Sequence, residues 1–434
     1  MAWDFETEPE FQEQLDWMDA FVREEVEPLD LAFREPGAAY DRRNPVYKKI
    51  TDPMKAEVRR RGLWACHLGP ELGGPGYGQV KLALMNEILG RSTWAPNVFG
   101  CQAPDSGNAE ILAHYGTPEQ KKKYLQPLLD GDIVSSFSMT EPQAGADPKE
   151  FKCRATRDGD QWVISGEKYF SSHADLASFL IVMAITNPDV PVHQGASMLL
   201  VPRDTPGLKF LRMAGLGGEP LGHGHHPHLR YENCRVPAEN LLGGEGQAFT
   251  IAQTRLGGGR IHHAMRTVAM VKRSLAMMCE RALSRRTQGE LLAQKQMVQQ
   301  YVADSFIQLE QFRLLVVYTA WLIDKGRKKE ARTYIAAVKV GMAEVLHDVV
   351  RRALHVHGAL GCSNEMPLAG LWMAVPVMGI ADGPTEVHKV TVAKAVLSQH
   401  KASPGLWPTE FLPDRVAAAR ARFAEYLDHE AGNL

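Results

Sequence analysis

Apolar residues at Phe11, Leu15, Met18, Phe21 and Val22 recur at three- and four-residue spacing, which predicts a helix packed along one side. Pro28 and the Pro36-Gly37 pair are expected to punctuate its far end. The stretch Gly69–Gly78 reads as a loop, followed by a helical run through Lys81–Leu89. Thr117 before Pro118-Glu119-Gln120 is a helix start with proline at the first helical position. From Ile133 the period changes. Lys152–Thr156 and Gln161–Ser165 flank Arg157-Asp158-Gly159-Asp160, a hairpin signal. Phe179–Ile185 and Ser197–Val201 are short apolar runs that suit buried strands, and Leu208–Arg212 and His228–Tyr231 fit further strands. From Gly246 helical periodicity returns, at about Phe249–Arg285, Lys295–Lys325, Lys329–His357 and Thr385–Gln399, with Gly289, Gly326 and a Gly358–Gly361 loop between them. The tail reads as a linker and one last helix.

The pattern predicts an α+β chain: an N-terminal helical domain over 1–132, a β domain of antiparallel sheets or a barrel over 133–245, a four-helix bundle over 246–400, and a linker and helix over 401–434. A chain of 434 residues has room for about three such units. Its net charge of −2 offers no basic field for nucleic acid. The six cysteines stand singly, without a Cys-x-x-Cys pair, which suits a reducing compartment better than a disulfide framework. The acidic, periodic start is unlike a signal or transit peptide. No uninterrupted apolar run reaches the ~20 residues that span a bilayer. The expectation is a soluble cytoplasmic protein without membrane insertion.

The most informative stretch reads FSMTEPQAGAD at Phe137–Asp147, then a polar hairpin, then WVISGEKYFSSH ending at His173. Both ends carry small hydroxyl residues beside an aromatic, in segments that read as backbone-rich loops at strand ends. Such loops can lay amides, Thr140 and Ser172 against a flat heteroaromatic ring. This pairing resembles the flavin-binding signature of the acyl-CoA dehydrogenase family. Arg255–His263 (RLGGGRIHH) and Ala381–Lys394 (ADGPTEVHKVTVAK) are most similar to the branch of human members ten and eleven. The resemblance spans roughly residues 5–397.

It implies FAD as cofactor and α,β-desaturation of an acyl-CoA thioester. A carboxylate takes the α-proton while hydride leaves the β-carbon for flavin N5. Asp382 stands in place of the family's usual glutamate base; read alone, an Asp before Gly-Pro-Thr is a helix cap. The other position at which the family places a base is Gly259 here, which cannot serve. Arg260, after three glycines, would steady the base, and Gly383 lies beside it. Arg255, His262 and Ala146 would face substrate, with Ala146 where the family has serine. His263 is a second candidate for the acyl pocket, and Trp94–Gln102 would contribute to its bottom.

For FAD the resemblance carries over Phe137, Met139, Thr140, Phe170 and Ser172. From a second subunit it adds Arg285, Thr287 and Gln296, then His355, Gly358, Pro384 and Glu386. His355 and Glu386 each replace a usual glutamine. The implied partners are acyl-CoA, an electron-transfer flavoprotein as reoxidant, and further copies of the chain in a homodimer or homotetramer. An oxygen-using relative of the same fold, and a non-catalytic member that binds flavin or acyl-CoA, stay open. Two other signals have bland readings. His223, His225, His226 and His228 sit in a Gly/Pro-rich turn without the carboxylate or Cys spacing of a metal site. Gly74-x-Gly76-x-Gly78 mimics a nucleotide loop but lacks the preceding strand.

Overall fold

Every residue of strand β4 (Phe179–Ile185) is buried, because the strand faces a core on each side. Phe179, Ile181, Met183 and Ile185 meet one cluster, which also holds Ile111, Leu112, Tyr124, Leu125, Ile251 and Ala252. Leu180, Val182 and Ala184 meet a second, with Trp162, Ile164, Leu229 and Tyr231. This explains a continuous apolar run where a one-sided strand would alternate.

The structure is a computed structural model that describes residues 5–35 and 37–431. Met1–Asp4 of the acidic start and Pro36 of the predicted Pro-Gly break lie outside the described residues. The chain divides into two compact units, one up to Lys389 and one from Val390.

In the first unit α1 (Pro9–Phe21) buries Phe11, Leu15 and Met18, three of the predicted stripe. Pro28 does not end this helical region. A π-helical turn at Val22–Val26 leads into a further helix at Glu27–Ala32, with Pro28 in its first turn. There proline's missing N–H costs nothing. Helices α2 (Pro45–Arg60), α3 (Gly78–Leu89) and α4 (Asp105–Tyr115) complete the N-terminal region. Thr117 and Gln120 form a reciprocal capping box.

The sheet that follows is β1 (Ser135–Ser138), β2 (Arg154–Asp158), β3 (Gln161–Lys168), β4, β5 (Ala196–Pro202), β6 (Leu208–Arg212), β7 (His228–Pro237) and β8 (Leu241–Leu242). Its order is β6-β7-β3-β2-β4-β5-β8, with β1 pairing β4. It is mixed: β1 and β2 run parallel to β4, and the other pairings are antiparallel. Gly159 turns the β2–β3 hairpin with φ of +61°.

Helix α5 (Ala248–Ser284) then crosses the unit. A short hairpin, β9 (Arg286–Thr287) and β10 (Glu290–Leu291), links it to α6 (Gln296–Asp324). Helix α7 (Lys328–His357) packs on α5, α6 and α8 (Leu368–Ile380). The expected Gly358–Gly361 loop is instead largely a helical turn, Ala359–Cys362. By length and composition α6 could cross a membrane, but it lies against α5 and α7. Helix α9 (Thr385–Leu397) runs across the unit boundary. In the second unit the tail holds two helices, Leu412–Arg422 and Ala424–Ala431, where one was expected.

Candidate active site

Both signature loops leave the sheet at strand ends, Phe137–Asp147 from the end of β1 and Phe170–His173 just after β3. They are tied together by backbone and by buried polar groups. Tyr169 N donates to Thr140 O at 2.8 Å. The Ser138 hydroxyl meets the Ser171 hydroxyl at 2.8 Å and the Tyr231 hydroxyl at 3.0 Å. Lys168, wholly buried at the end of β3, donates to Met139 O at 2.8 Å and to Glu141 at 2.9 Å. Glu141 accepts in addition from Lys152 N and Cys153 N. A buried ion pair persists only when its remaining lone pairs are satisfied, as here.

Six non-glycine residues among those described have a left-handed backbone: Ala65, Phe170, His173, Asn233, Gln288 and Asp382. Two lie in the second signature loop and a third is the predicted base. Strain of this kind costs of order 1–3 kcal/mol per residue and concentrates at functional sites. At Phe170 it leaves the ring 43% exposed, stacked on Tyr169 at 4.1 Å. Among the described residues the Thr140 hydroxyl makes no hydrogen bond. An exposed aromatic beside an unused hydroxyl and strand-end backbone fits the edge of a flat ring that accepts hydrogen bonds.

Asp382 lies in the short connection between α8 and α9. Arg260 Nε donates to its backbone oxygen at 2.9 Å, and His388 Nε2 lies 3.3 Å from the same atom. Thus Arg260 grips the peptide rather than the carboxylate. The carboxylate has His263 Nε2 at 3.8 Å, and the Asp382 side chain is 17% exposed. A Cβ on Gly259 would sit 2.7 Å from Asp382 Oδ2. A Cβ on the adjacent Gly258 would sit 3.0 Å from Glu110 Oε2. Two carboxylates therefore approach one glycine run of α5. Burial pushes the Glu110 carboxyl up to about 7, against the pull of Arg255. Burial draws Lys339 down to about 8, with Asp382 opposing; its ammonium donates to Met378 O at the end of α8.

Arg255 connects this cluster to the loops. Its Nε donates to Asn108 at 2.9 Å, and its guanidinium lies 4.1 Å from the centre of the Phe137 ring. His262 is buried with Nε2 unpartnered, edge-on to His67 at 6.2 Å; burial holds both rings neutral, His67 at about 4. Trp94, Val98, Phe99 and Cys101 are buried in the core beside α1, α3 and α5.

Other predicted residues stand apart. Arg285, Thr287 and Gln296 are exposed around the β9–β10 hairpin, as are His355 and Gly358. Ala146 and Glu386 are exposed, and Pro384 is partly so. Ala146 lies within the first signature loop; among the described residues no hydrogen bond or ion pair joins the others to the signature loops. The sequence reading missed Glu110, Lys168, Glu141 and Lys339. Only Lys168 and Glu141 left a signal, as charges inside the signature stretch itself.

Three of the four clustered histidines take separate partners. His225 pairs with Asp175 at 2.6 Å, His228 with Glu167 at 2.8 Å, and His226 with the Ser172 hydroxyl at 2.7 Å. Of the Gly74–Gly78 run, Gly78 opens α3, where Asp324 accepts from Gln79 N and Val80 N at 2.7 and 2.9 Å, while Gly74 and Gly76 donate back to Gly69 O and Leu68 O.

Three family models match in chain order: the acyl-CoA dehydrogenase N-terminal domain over 8–132, the middle domain over 136–233 and the C-terminal domain over 246–397. The chain is 44% identical over 358 residues to the probable acyl-CoA dehydrogenase FadE2 of Mycobacterium tuberculosis, covering 82% of this chain and 87% of that one. Human acyl-CoA dehydrogenase family member 11 is 41% identical over 349 residues, 79% of this chain. The chain spans 44% of that longer protein. Butyryl-CoA dehydrogenase from Megasphaera elsdenii superimposes with a TM-score of 0.78 at 26% identity, over 91% of this chain and 100% of its own. This chain is a member of the acyl-CoA dehydrogenase family, with that family's helical–β–helical fold and with FAD as its cofactor.

Proposed function

We propose that the protein oxidises an acyl-CoA thioester across its α and β carbons, with Asp382 as the base. FAD, when bound, supplies the hydride acceptor at N5. Every other requirement falls to the chain. The α-proton is weakly acidic, so its removal needs a carboxylate at a fixed position and hydrogen bonds to the thioester oxygen as charge builds. Asp382 combines both roles: its side chain takes the proton and its backbone N–H, next to the flexible Gly383, donates to that oxygen. Arg260 and His388 meet the carbonyl oxygen of the same residue, which lies in the peptide that follows. Carrying the reading is the fit between Asp382 and Gly259, where no side chain separates the carboxylate from α5.

Phe137, Met139, Thr140, Phe170 and Ser172 would edge the isoalloxazine. Arg255 and His262 would line the acyl side and Ala146 the CoA side. Arg285, Thr287 and Gln296, with His355, Gly358, Pro384 and Glu386, would hold the remainder of FAD across a subunit boundary, in a homodimer or homotetramer. An electron-transfer flavoprotein in the cytoplasm would reoxidise the enzyme. The four regions 1–132, 133–245, 246–400 and 401–434 divide this work.

The test is anaerobic titration with a panel of acyl-CoA thioesters. In the parent protein the visible flavin absorbance bleaches with at least one chain length. Asp382→Asn loads FAD equally and fails to bleach. An Asp382→Asn variant that turns over like the parent removes Asp382 from the role. Rapid peroxide formation in air would favour the oxygen-using relative.

A further inference from the structure

We propose that His226 is a positioning residue for the flavin, its Nδ1 holding the Ser172 hydroxyl so that the hydroxyl's remaining hydrogen-bonding capacity faces the isoalloxazine. This rests on the reading above, in which Ser172 edges the ring. Among the clustered histidines, His225 and His228 face carboxylates, whereas His226 faces a hydroxyl in a signature loop.

The backbone leaves His226 little freedom. On one edge, His173 N donates to His225 O at 2.6 Å and Ser171 N to Pro227 O at 3.4 Å. On the other, His226 and Ala214 exchange hydrogen bonds at 3.2 and 3.3 Å. Segment 225–227 is thus laid between the signature loop and the segment that leaves β6. The loop it braces is strained at both ends, at Phe170 and His173. His173 is further held by stacking on Tyr40, with ring centres 3.8 Å apart.

A serine hydroxyl has one donor and two acceptor sites. Unrestrained, it rotates among three staggered positions and meets a ligand in only some of them. The 2.7 Å bond to Nδ1 uses one site and selects the rotamer. Burial pulls the His226 imidazole down, with Glu219 opposing and His225 adding to it, so the ring is neutral at neutral pH. A neutral imidazole can accept from the hydroxyl or donate to it; an imidazolium can only donate. The sequence had offered these histidines as a failed metal cluster. The fold gives one of them a reason to be histidine.

The experiment compares the parent with Ser172→Ala, His226→Leu, His226→Asn and the Ser172→Ala/His226→Leu double variant. FAD affinity, the flavin's visible spectrum and its midpoint potential are measured without substrate, and thermal midpoints are measured on the apoprotein. One lost hydrogen bond corresponds to roughly a five- to tenfold change in affinity. The two single variants should each weaken FAD by about that factor, shift spectrum and potential in the same direction, and show no further change when combined. Asn, whose amide can reach the Nδ1 position, should restore most of the loss. His226→Leu with the parent's FAD affinity and potential would overturn the inference, even if its apoprotein melts lower. So would effects of the two singles that add independently. Parent-like FAD binding by Ser172→Ala would overturn it at an earlier step, by removing Ser172 from the flavin.

Discussion

At Gly259 one added methyl group would stand 2.7 Å from Asp382 Oδ2, closer than real Cβ contacts come. The obstructed atom is the end of a movable side chain, so the fold can yield and the carboxylate cannot stay. Glycine inside a helix is about 1 kcal/mol worse than alanine, so Gly259→Ala should leave the thermal midpoint unchanged or higher. A catalytic group displaced by about 1 Å can cost of order a hundredfold in rate. Steady-state kinetics of Gly259→Ala should therefore show a fall in kcat of about that size in a protein that still loads FAD. Unchanged kcat would mean that the carboxylate works from another position. The same pair explains why the glycine run was readable as a site feature while its purpose was not. The sequence shows three glycines before Arg260, but which of them face carboxylates depends on Glu110 and Asp382, each more than a hundred positions away in the chain.

Among the elements, the first signature loop depends on the strand that leads into the second. Lys168 ends β3 and reaches Met139 O and Glu141, at 0% and 2% side-chain exposure for the ion pair. Removing one member of such a pair strands a buried charge, which costs about 3–5 kcal/mol. Lys168→Met should lower stability by about that amount in chemical denaturation. Adding Glu141→Gln should recover part of it, since the amide oxygen still accepts from Lys152 N or Cys153 N. A Lys168→Met variant within about 1 kcal/mol of the parent would show that the pair is solvated in solution. The long helices from Gly246 onward were legible to within a few residues because their periodicity is strong: α5 is Ala248–Ser284 against an expected Phe249–Arg285, whereas the strand expected at His228–Tyr231 runs on to Pro237. Pro28 misled, because proline breaks a helix only where its N–H is needed. The tail misled as well, since short exposed helices carry little apolar periodicity.

For the whole molecule, burial of ionisable groups sets opposing pH dependences. Glu110 is raised to about 7 and Asp105 to about 6, so the folded state holds protons that the unfolded state releases near its ordinary carboxyl values. Stability from these groups is lost as pH rises through that interval. His67 at about 4 and His173 at about 3 act in the other direction: the folded state refuses protons that the unfolded chain binds below about 6.5. Their contribution is lost as pH falls. Glu110→Gln separates the two. Its thermal midpoint should match the parent at about pH 4, below the unfolded carboxyl's ordinary value, and exceed it at about pH 8. Equal midpoints at both would show that Glu110 ionises freely.

Taken alone, the sequence determined the succession of helical, β and helical regions, the family and its flavin. Each is written in local periodicity or in contiguous motifs, and such information survives without a third dimension. Tertiary structure decided what the charged and aromatic residues do. It brought Asp382 against Gly259, set Arg260 on a peptide oxygen, placed Arg255 over Phe137 and tied His226 to Ser172. These contacts join residues 54 to 123 positions apart, as their numbering in the chain gives. Nothing in either local neighbourhood specifies such a pairing; packing of the sheet and of α5 does. Buried charge follows the same rule, because desolvation depends on what the completed fold excludes from water.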